Sequence, residues 1–315
     1  SCENLASITI PGDVYLDSQV FLDCSNLVEI YCKGVIPPTL QGRSSLPDHK
    51  MTIYVPVASL EVYKTAMWWS NHADEMVPYD FSENRVVDEE NCKIYYTSTD
   101  GNIVNPCVVL DMEGNNNFGA NIVSNTYENG KGVITFDGEV THIRDGAFNN
   151  GEAFNLESVV IPGSITEIDE DAFNSCANLK SVTISNGVES IGDSAFRECI
   201  SLTSVTIPNS VTHIGDLAFY LCSNLTIIHS ATNIEYIGNY AFQNCYNLEN
   251  VNAPNCVNVY SYAFSNCSKL TSVNLNNIDT SNVTDMSSMF GGAGKNVATV
   301  NIGNLSRWDT SNVTD

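Results

Sequence analysis

A fixed spacing of phenylalanine, leucine and cysteine constrains this chain more than any other feature of its sequence. Residues 202–222 read Leu-x-x-Val-x-Ile-Pro-x-x-Val-x-x-Ile-Gly-x-x-Ala-Phe-x-x-Cys, and close copies precede and follow them. The copies are spaced by 22 to 25 residues, and the phenylalanines that mark them are Phe148, Phe173, Phe196, Phe219, Phe242 and Phe264. Because one unit of this length cannot bury its own apolar face, the copies must stack, which predicts a solenoid.

Each copy has the pattern of a short strand followed by a turn. Val205 and Ile207 alternate with polar residues, so one set of side chains points inward and the other outward. Val211 and Ile214 predict a second inward edge, and Ala218-Phe219 suits a short helical turn that fills the core. The predicted fold is a β-rich, leucine-rich-repeat-like solenoid of short strands and short helical turns, in two arrays with capping elements.

Changes of pattern along the chain predict five segments. The repeat phase stops at Pro37-Pro38, resumes near Val140, and changes in length after residue 278. The predicted segments are the end of a first array (1–36), its C-terminal cap with one helix (37–80), a β-hairpin linker and N-terminal cap (81–136), a second array (137–278) and variant repeats that continue it (279–315).

The first cap is predicted from one strand and one helix. The β-rich run 52–55 precedes Ser59, a good helix N-cap residue, and Leu60, Tyr63, Met67 and Trp68 follow at helical spacing. An array must cover its last rung, so we interpret this apolar stripe as the cover. The alternative is that Trp68 and Trp69 form an aromatic platform for a sugar.

The linker carries a hairpin signal. Lys93–Thr97 and Ile103-Val104 flank Asp100-Gly101, a dipeptide typical of tight β-turns, so we predict a hairpin there. Residues 132–136 are predicted to form a strand that leads into the second array.

Most of the eleven cysteines follow the repeat phase. Those in phase are Cys2, Cys24, Cys176, Cys199, Cys222, Cys245 and Cys267. We interpret them as a buried ladder of small apolar thiols, because parallel side chains on stacked rungs have poor disulfide geometry. Cys92 and Cys107 lie outside the phase, and a disulfide between these two residues is an alternative that the sequence allows.

The charge of the chain excludes some partners. With 13 basic and 37 acidic residues, the formal net charge is −24, which disfavours nucleic acids and anionic membrane surfaces. No apolar run is long enough to insert into a membrane. Both ends interrupt a repeat, so we expect a fragment of a longer polypeptide, and we expect it to be a monomer.

Motifs for catalysis and metal binding are absent from the sequence. It contains no nucleophile-elbow, zinc-protease, phosphate-loop or dinucleotide motif, and no cofactor is implied. His142 and His213 occupy equivalent repeat positions, which indicates surface residues rather than metal ligands. Calcium binding at residues 169–171 or 111–117 is a weaker alternative to solvated loops. No catalytic residue and no metal ligand is therefore predicted.

The outward side chains of the repeat strands are the candidate binding surface. Repeat proteins bind partners on such extended faces. The candidates are Thr183, Thr206, Ile227, His229, Asn252 and Asn274. Ile227 is the expected contact centre because it is the apolar exception among Ser, Thr and Asn, although a merely solvated face explains each single residue as well.

The repeats resemble the BspA-type leucine-rich repeats of bacterial surface proteins. The most telling pieces are Ile-Pro-Asn-Ser-Val at 207–211 and Ile-Gly-x-x-Ala-Phe at 214–219, and the likeness covers about three quarters of the chain. The resemblance implies a secreted or surface-anchored protein that adheres to an extracellular protein or glycan without catalysis. A structural spacer that presents another domain is the alternative, and an enzyme that acts on glycans through paired carboxylates is a third possibility.

Overall fold

The chain divides into two compact units. The computed structural model describes residues 4–12, 14–42, 45–81, 85–108, 110, 116–144, 146–149, 153–229, 232–276, 286–302 and 311. The first unit comprises Ser1–Cys92, Asn121–Val123 and Thr135–Glu139, and the second comprises Lys93–Ala120, Ser124–Ile134 and Val140–Asp315. The five segments predicted from the sequence remain a prediction.

The described residues up to Cys92 form seven short strands and one α-helix. They are β1 (Ser7–Ile10), β2 (Tyr15–Leu16), β3 (Glu29–Cys32), β4 (Thr39–Leu40), β5 (Thr52–Pro56), α1 (Leu60–Thr65), β6 (Met76–Asp80) and β7 (Arg85–Val86). Short 3₁₀ helices cover Val57–Ser59, Trp69–Glu75 and Glu89–Cys92. The main sheet has the order β1-β3-β5-β6-β7, and only its last pair is antiparallel among the pairings described.

The helix of the first unit is shorter than its apolar stripe predicted. It ends after six residues, where Ala66 takes an extended backbone. Trp68 then takes a left-handed backbone with φ of 71° and precedes a 3₁₀ segment that begins at Trp69. Met67 is therefore exposed, and the buried residues are Leu60, Tyr63 and Trp69. Ser59 precedes the helix but makes no side-chain cap hydrogen bond. The predicted strand at 52–55 is confirmed as β5.

From Lys93 onward, the described residues form fourteen strands, of which the first three lie outside the repeats. These are β8 (Lys93–Ser98), β9 (Ile122–Glu128) and β10 (Lys131–Phe136). The repeat strands of the first face are β11 (Leu156–Ile161), β13 (Ser181–Ile184), β15 (Ser204–Thr206), β17 (Ile227–His229), β19 (Asn250–Asn252) and β21 (Ser272–Asn274). Those of the second face are β12 (Glu167–Ile168), β14 (Ser190–Ile191), β16 (His213–Ile214), β18 (Tyr236–Ile237) and β20 (Asn258–Val259).

Each face of the second unit is a sheet. The first sheet has the order β21-β19-β17-β15-β13-β11-β8-β10-β9, and the second has the order β12-β14-β16-β18-β20. Repeat strands pair in parallel, with each residue opposite its equivalent in the next rung: Val182 lies opposite Val205, and Ile191 opposite Ile214. Identical positions therefore form rows, as the sequence predicted.

The predicted hairpin at Asp100-Gly101 is wrong. Ile103 and Val104 form no strand, and β8 instead pairs antiparallel with β11. The consecutive neighbours β9 and β10 are joined by Asn129-Gly130, both with positive φ, which is the backbone that a tight hairpin turn requires. The predicted strand at 132–136 is confirmed within β10.

The phenylalanines form a continuous interior column. Successive rings from Phe148 to Phe264 are stacked, with centroids 4.9–5.7 Å apart. Phe290 extends the column into the variant repeats, with its ring centroid 5.5 Å from that of Phe264. The corner that holds each ring is a tight turn rather than a helix, with left-handed residues such as Leu217 and Leu221.

The cysteine ladder is confirmed, and it also donates hydrogen bonds. Cys176, Cys199, Cys222, Cys245 and Cys267 are buried free thiols. Each Sγ–H donates to the carbonyl oxygen of the phenylalanine in the preceding rung; from Cys222 to Phe196 the distance is 3.1 Å. Cys107 is also a free thiol, so the disulfide with Cys92 is not formed. Cys2 lies outside the described residues.

Candidate functional site

Five of the six predicted binding residues form one row across the first sheet of the second unit. Thr183 lies opposite Thr206, and Thr206 lies opposite His229. Asn252 lies opposite Asn274 at the far end. Burial alternates along each of these strands, so the row points outward, and only Asn274 is half-buried. The placement follows the prediction, whereas the binding role of these residues stays a prediction.

Ile227, the sixth predicted residue, lies in the neighbouring row of the same face. Its partners across the sheet are Ser204 and Asn250. The side chain is half-buried rather than exposed. Ile227 therefore offers a partner a limited apolar spot beside the exposed ring of His229.

The outward face is longer than the sequence indicated. Val160 lies opposite Thr183 and is 38 % exposed, and Tyr95 of β8 lies opposite Val160. In the neighbouring row, the hydroxyls of Thr97 and Ser158 are 2.7 Å apart. The repeat alignment could have found Val160, but Tyr95 comes from an antiparallel strand outside the repeats, so no periodic signal marks it.

We call the two outward rows together the sheet face. Its members are Tyr95, Val160, Thr183, Thr206, His229, Asn252 and Asn274 in one row, and Thr97, Ser158, Ser181, Ser204, Ile227, Asn250 and Ser272 in the other. Hydroxyl and amide groups dominate it, and no member is an acid, a lysine or an arginine. Such groups bind a partner through neutral hydrogen bonds.

The sheet face has a shallow groove near its middle and a pair of fixed side chains at one end. A shallow groove of about 530 Å³ borders Thr206 and is lined further by Ile184, Pro208 and Asn209. At the other end, the side-chain amide of Asn274 donates to Oδ1 of Asn252 over 2.8 Å, which fixes both side chains. The face thus combines a partly apolar depression with preordered polar groups.

The tryptophan platform for sugars is not present. Trp69 is 1 % exposed, and its Nε1–H donates to the Pro38 carbonyl over 2.7 Å, so it belongs to the core. Trp68 is 37 % exposed without Trp69 beside it on the surface. Elsewhere in the first unit, the half-buried rings of Tyr31 and Tyr54 stack with centroids 4.4 Å apart. Burial, and to a lesser extent the Glu29 carboxylate, raises the pKa of Tyr31 to about 12, so its hydroxyl stays protonated.

The second sheet presents a different outward row. Glu167, Ser190, His213, Tyr236 and Asn258 lie opposite one another in successive rungs. The rings of His213 and Tyr236 stack with centroids 5.6 Å apart. Burial, followed by the Asp216 carboxylate, raises the pKa of Tyr236. The equivalence of His142 and His213 was visible in the sequence, but the row around them was not recognised there.

A partly buried carboxylate lies beside this row. Burial, with repulsion from Glu167, raises the pKa of Asp169 to about 6, although Arg144 opposes the shift from 3.8 Å away. Burial and the positive charge of Arg144 lower the pKa of His142, whose Nε2 is 3.3 Å from the guanidinium.

The structure offers no support for a metal centre. Among the residues that it describes, no three His, Cys, Asp or Glu side chains come together as a metal site. Of the calcium alternatives, residues 111–115 lie outside the described residues, and the 169–171 corner contains the partly buried Asp169 carboxylate, which is paired with Arg144.

Stacked rungs of about 23 residues, with parallel strands on two faces and a ladder of identical side chains inside, define a leucine-rich-repeat solenoid. The sequence profile of the BspA type leucine rich repeat region matches in six copies, over residues 1–38, 141–271 and 189–305. Because these matches span more than half of the chain, the chain belongs to the BspA-type leucine-rich repeat family. The resemblance found in the repeats is confirmed.

Solved structures of other bacterial repeat proteins are similar. A T. pallidum leucine-rich repeat protein is 25 % identical, with a TM-score of 0.41, over 50 % of this chain and 78 % of that one. A leucine-rich repeat protein from Bacteroides ovatus is 24 % identical, with a TM-score of 0.30, over 38 % and 42 %. A leucine-rich cell surface protein from Faecalibacterium prausnitzii is 20 % identical, with a TM-score of 0.29, over 57 % and 69 %. A comparison with curated proteins found no match.

Proposed function

We propose that the chain is a non-catalytic binding module that contacts an extracellular protein or glycan through the sheet face. The single observation that supports this most is the in-register row from Thr183 to Asn274. Repeat proteins bind on extended surfaces of this kind, and neutral hydroxyl and amide groups can exchange hydrogen bonds with water for those with a partner. Ile227 and His229 supply the contact centre.

The proposed location is outside the cell, on a bacterial surface, and the proposed state is a monomer. Membership of the BspA-type family supports this location. The thiol ladder is compatible with an oxidising environment, because burial raises the pKa of Cys176 and Cys267 to about 12 and removes the reactive thiolate. No helix within the described ranges is long and apolar enough to cross a lipid bilayer.

The proposal is tested by measuring binding of the purified chain to immobilised matrix proteins and to a glycan array. We expect at least one ligand whose binding weakens about tenfold in the double variant Ile227→Ser/His229→Ala, a loss typical of a contact centre. The matched control is His213→Ala, which removes an exposed histidine from the other sheet and should leave that binding unchanged.

Two outcomes would contradict the proposal. One is the absence of binding to every protein and glycan tested. The other is binding that both histidine variants weaken equally, since the sheet face would then have no special role. The spacer hypothesis would gain from the first outcome if removal of whole rungs also left cell adhesion unchanged.

A further inference from the structure

A groove on the second sheet of the second unit is separate from the sheet face. It has a volume of about 400 Å³ and is lined by Glu167, Glu170, Ser190, Ile191, Gly192, Asp193, His213, Gly215 and Tyr236. Its centre lies between Glu167 and His213, where the outward strand residue of the intervening rung is Ser190. We call this centre, formed by Glu167, Ser190, Asp193 and His213, the slot.

The slot exists because one rung has a small outward residue. Parallel strands are about 4.8 Å apart, so Glu167 and His213, two rungs apart, are separated by about 10 Å. Ser190 lies between them, and its short side chain leaves space above the strand. Gly192 adds no space, because a Cβ there would lie 2.8 Å from the carbonyl oxygen of Ile168, so the backbone of the preceding rung already fills that position. A flat group about 3.5 Å thick can therefore enter above Ser190, beside the His213 ring.

The walls of the slot are held in place. His213 Nδ1 shares a 2.7 Å hydrogen bond with Thr212 Oγ1, and its ring stacks on Tyr236, which leaves its other face toward Ser190. Asp193 Oδ1 accepts the backbone N–H of Asp216 over 2.7 Å, which fixes that carboxylate. The site is thus ordered before a ligand arrives, which lowers the entropic cost of binding.

The charge of the groove is negative and uncompensated. Glu167, Glu170 and Asp193 line it, and within the described ranges none of the three has an ion-pair partner. Arg144 is paired with Asp169, outside the groove lining. A cation in the slot would relieve the repulsion between these carboxylates.

We propose that the slot binds an arginine side chain of a basic segment in a partner protein. A guanidinium is planar, so it can stack on His213 while its N–H groups donate to Glu167 and Asp193. A lysine ammonium has neither the flat shape nor the fork of donors, and a neutral sugar would leave the carboxylates uncompensated. The assignment concerns a different surface from the sheet face and does not rest on its function.

The test measures fluorescence anisotropy of a labelled peptide of alternating glycine and arginine, in buffer with a chelator. Matched peptides carry lysine or neutral citrulline in place of arginine. We expect the lysine peptide to bind about tenfold more weakly and the citrulline peptide not to bind, because a hydrogen-bonded charge pair contributes roughly this much.

Variants locate the site. Ser190→Tyr fills the slot and should weaken binding of the arginine peptide at least about tenfold, as should Glu167→Gln. Glu249→Gln removes the same charge at the edge of the first sheet and should have no effect. His213→Ser serves as a second slot variant if Ser190→Tyr has an altered circular dichroism spectrum.

Three results would overturn the assignment. Equal weakening by Glu167→Gln and Glu249→Gln would show diffuse attraction to an acidic protein. Equal affinity for the arginine and lysine peptides would remove the role of the planar group. In a separate titration without chelator, calcium that displaces the arginine peptide in wild type but not in Glu167→Gln would make the groove a cation site instead.

Discussion

The two units bury their aromatic side chains in different ways. In the second unit, Phe148 to Phe290 form one column of parallel rings, and a cysteine in the next rung supplies a hydrogen bond to the phenylalanine carbonyl. In the first unit, Tyr63 and Trp69 meet edge to face with centroids 5.4 Å apart. Each of these two donates its own hydrogen bond, to Gly34 and Pro38.

This difference shows how repetition simplifies the core. When every rung presents the same carbonyl in the same place, one small donor per rung satisfies all of them, and the rings can be purely apolar. A cap meets carbonyls in irregular positions, so each needs a large side chain with a polar tip. We therefore expect single substitutions to have the largest effects in the cap.

Trp69→Ala is expected to cause the largest loss of stability, about 5 kcal/mol, because it removes a fully buried ring and leaves the Pro38 carbonyl unpaired. The measurement is guanidinium unfolding together with hydrogen exchange over residues 52–80. The neighbouring Trp68 is the matched control: it is 37 % exposed, and Trp68→Ala should cost less than about 1 kcal/mol. Equal losses in the two variants would contradict the assignment of Trp69 to the core.

Phe196→Ala should cost slightly less, about 3–5 kcal/mol, because it opens a cavity in the column but leaves no hydrogen-bonding group unpaired. Phe154→Ala provides the control, since that ring is 62 % exposed and its loss should change the unfolding free energy by less than about 0.5 kcal/mol. A melting temperature for Phe196→Ala equal to that of the parent would refute the column.

Substitutions in the cysteine ladder should cost less stability, and the ranking of the alanine and serine variants tests whether the thiol acts as a donor. Cys222→Ala removes the donor to the Phe196 carbonyl and should cost about 1–3 kcal/mol. Cys222→Ser is more polar but keeps a donor, so it should be less destabilising than alanine. If serine were worse than alanine in thermal unfolding, the cysteines would be apolar fillers alone. Cys107→Ala, at a half-buried thiol outside the ladder, should have little effect.

The parts of the fold that the sequence predicts best are the repeated ones. The spacing of Phe173, Phe196 and Phe219 determines the register of both sheets, because stacking of like positions leaves no other alignment. The outward position of Thr206 follows from the same register. The family could likewise be recognised from the motifs around Ile207-Pro208.

The non-repeating parts could not be predicted from local signals. Asp100-Gly101 and Asn129-Gly130 are both turn dipeptides, and the choice between them depends on the pairing of β8 with the distant strand β11. The helix stops early because Ala66 takes an extended backbone, and the left-handed Trp68 then precedes the segment in which Trp69 is buried. The slot depends on the short side chain of Ser190 between two larger residues, which motif searches do not detect.

The smallest effect concerns the charge of Asp169 beside the second sheet. Its pKa in the folded protein is raised from 3.8 to about 6, so the folded state holds a proton that the unfolded state has already released between these pH values. Stability is therefore lost as pH rises from about 4 to about 6, and the ionised carboxylate remains unfavourable at pH 7.

Replacing this carboxylate should restore that stability. Because the side chain is 28 % exposed and solvent screens it, we expect Asp169→Asn to gain on the order of 1 kcal/mol at pH 7 and almost nothing at pH 4. Urea unfolding at both pH values measures the difference. Glu189→Gln removes an exposed carboxylate nearby and should show no such pH dependence. A loss of stability at pH 7 in Asp169→Asn would mean that the ion pair with Arg144 outweighs burial and the repulsion from Glu167, so that the ionised carboxylate stabilises the fold.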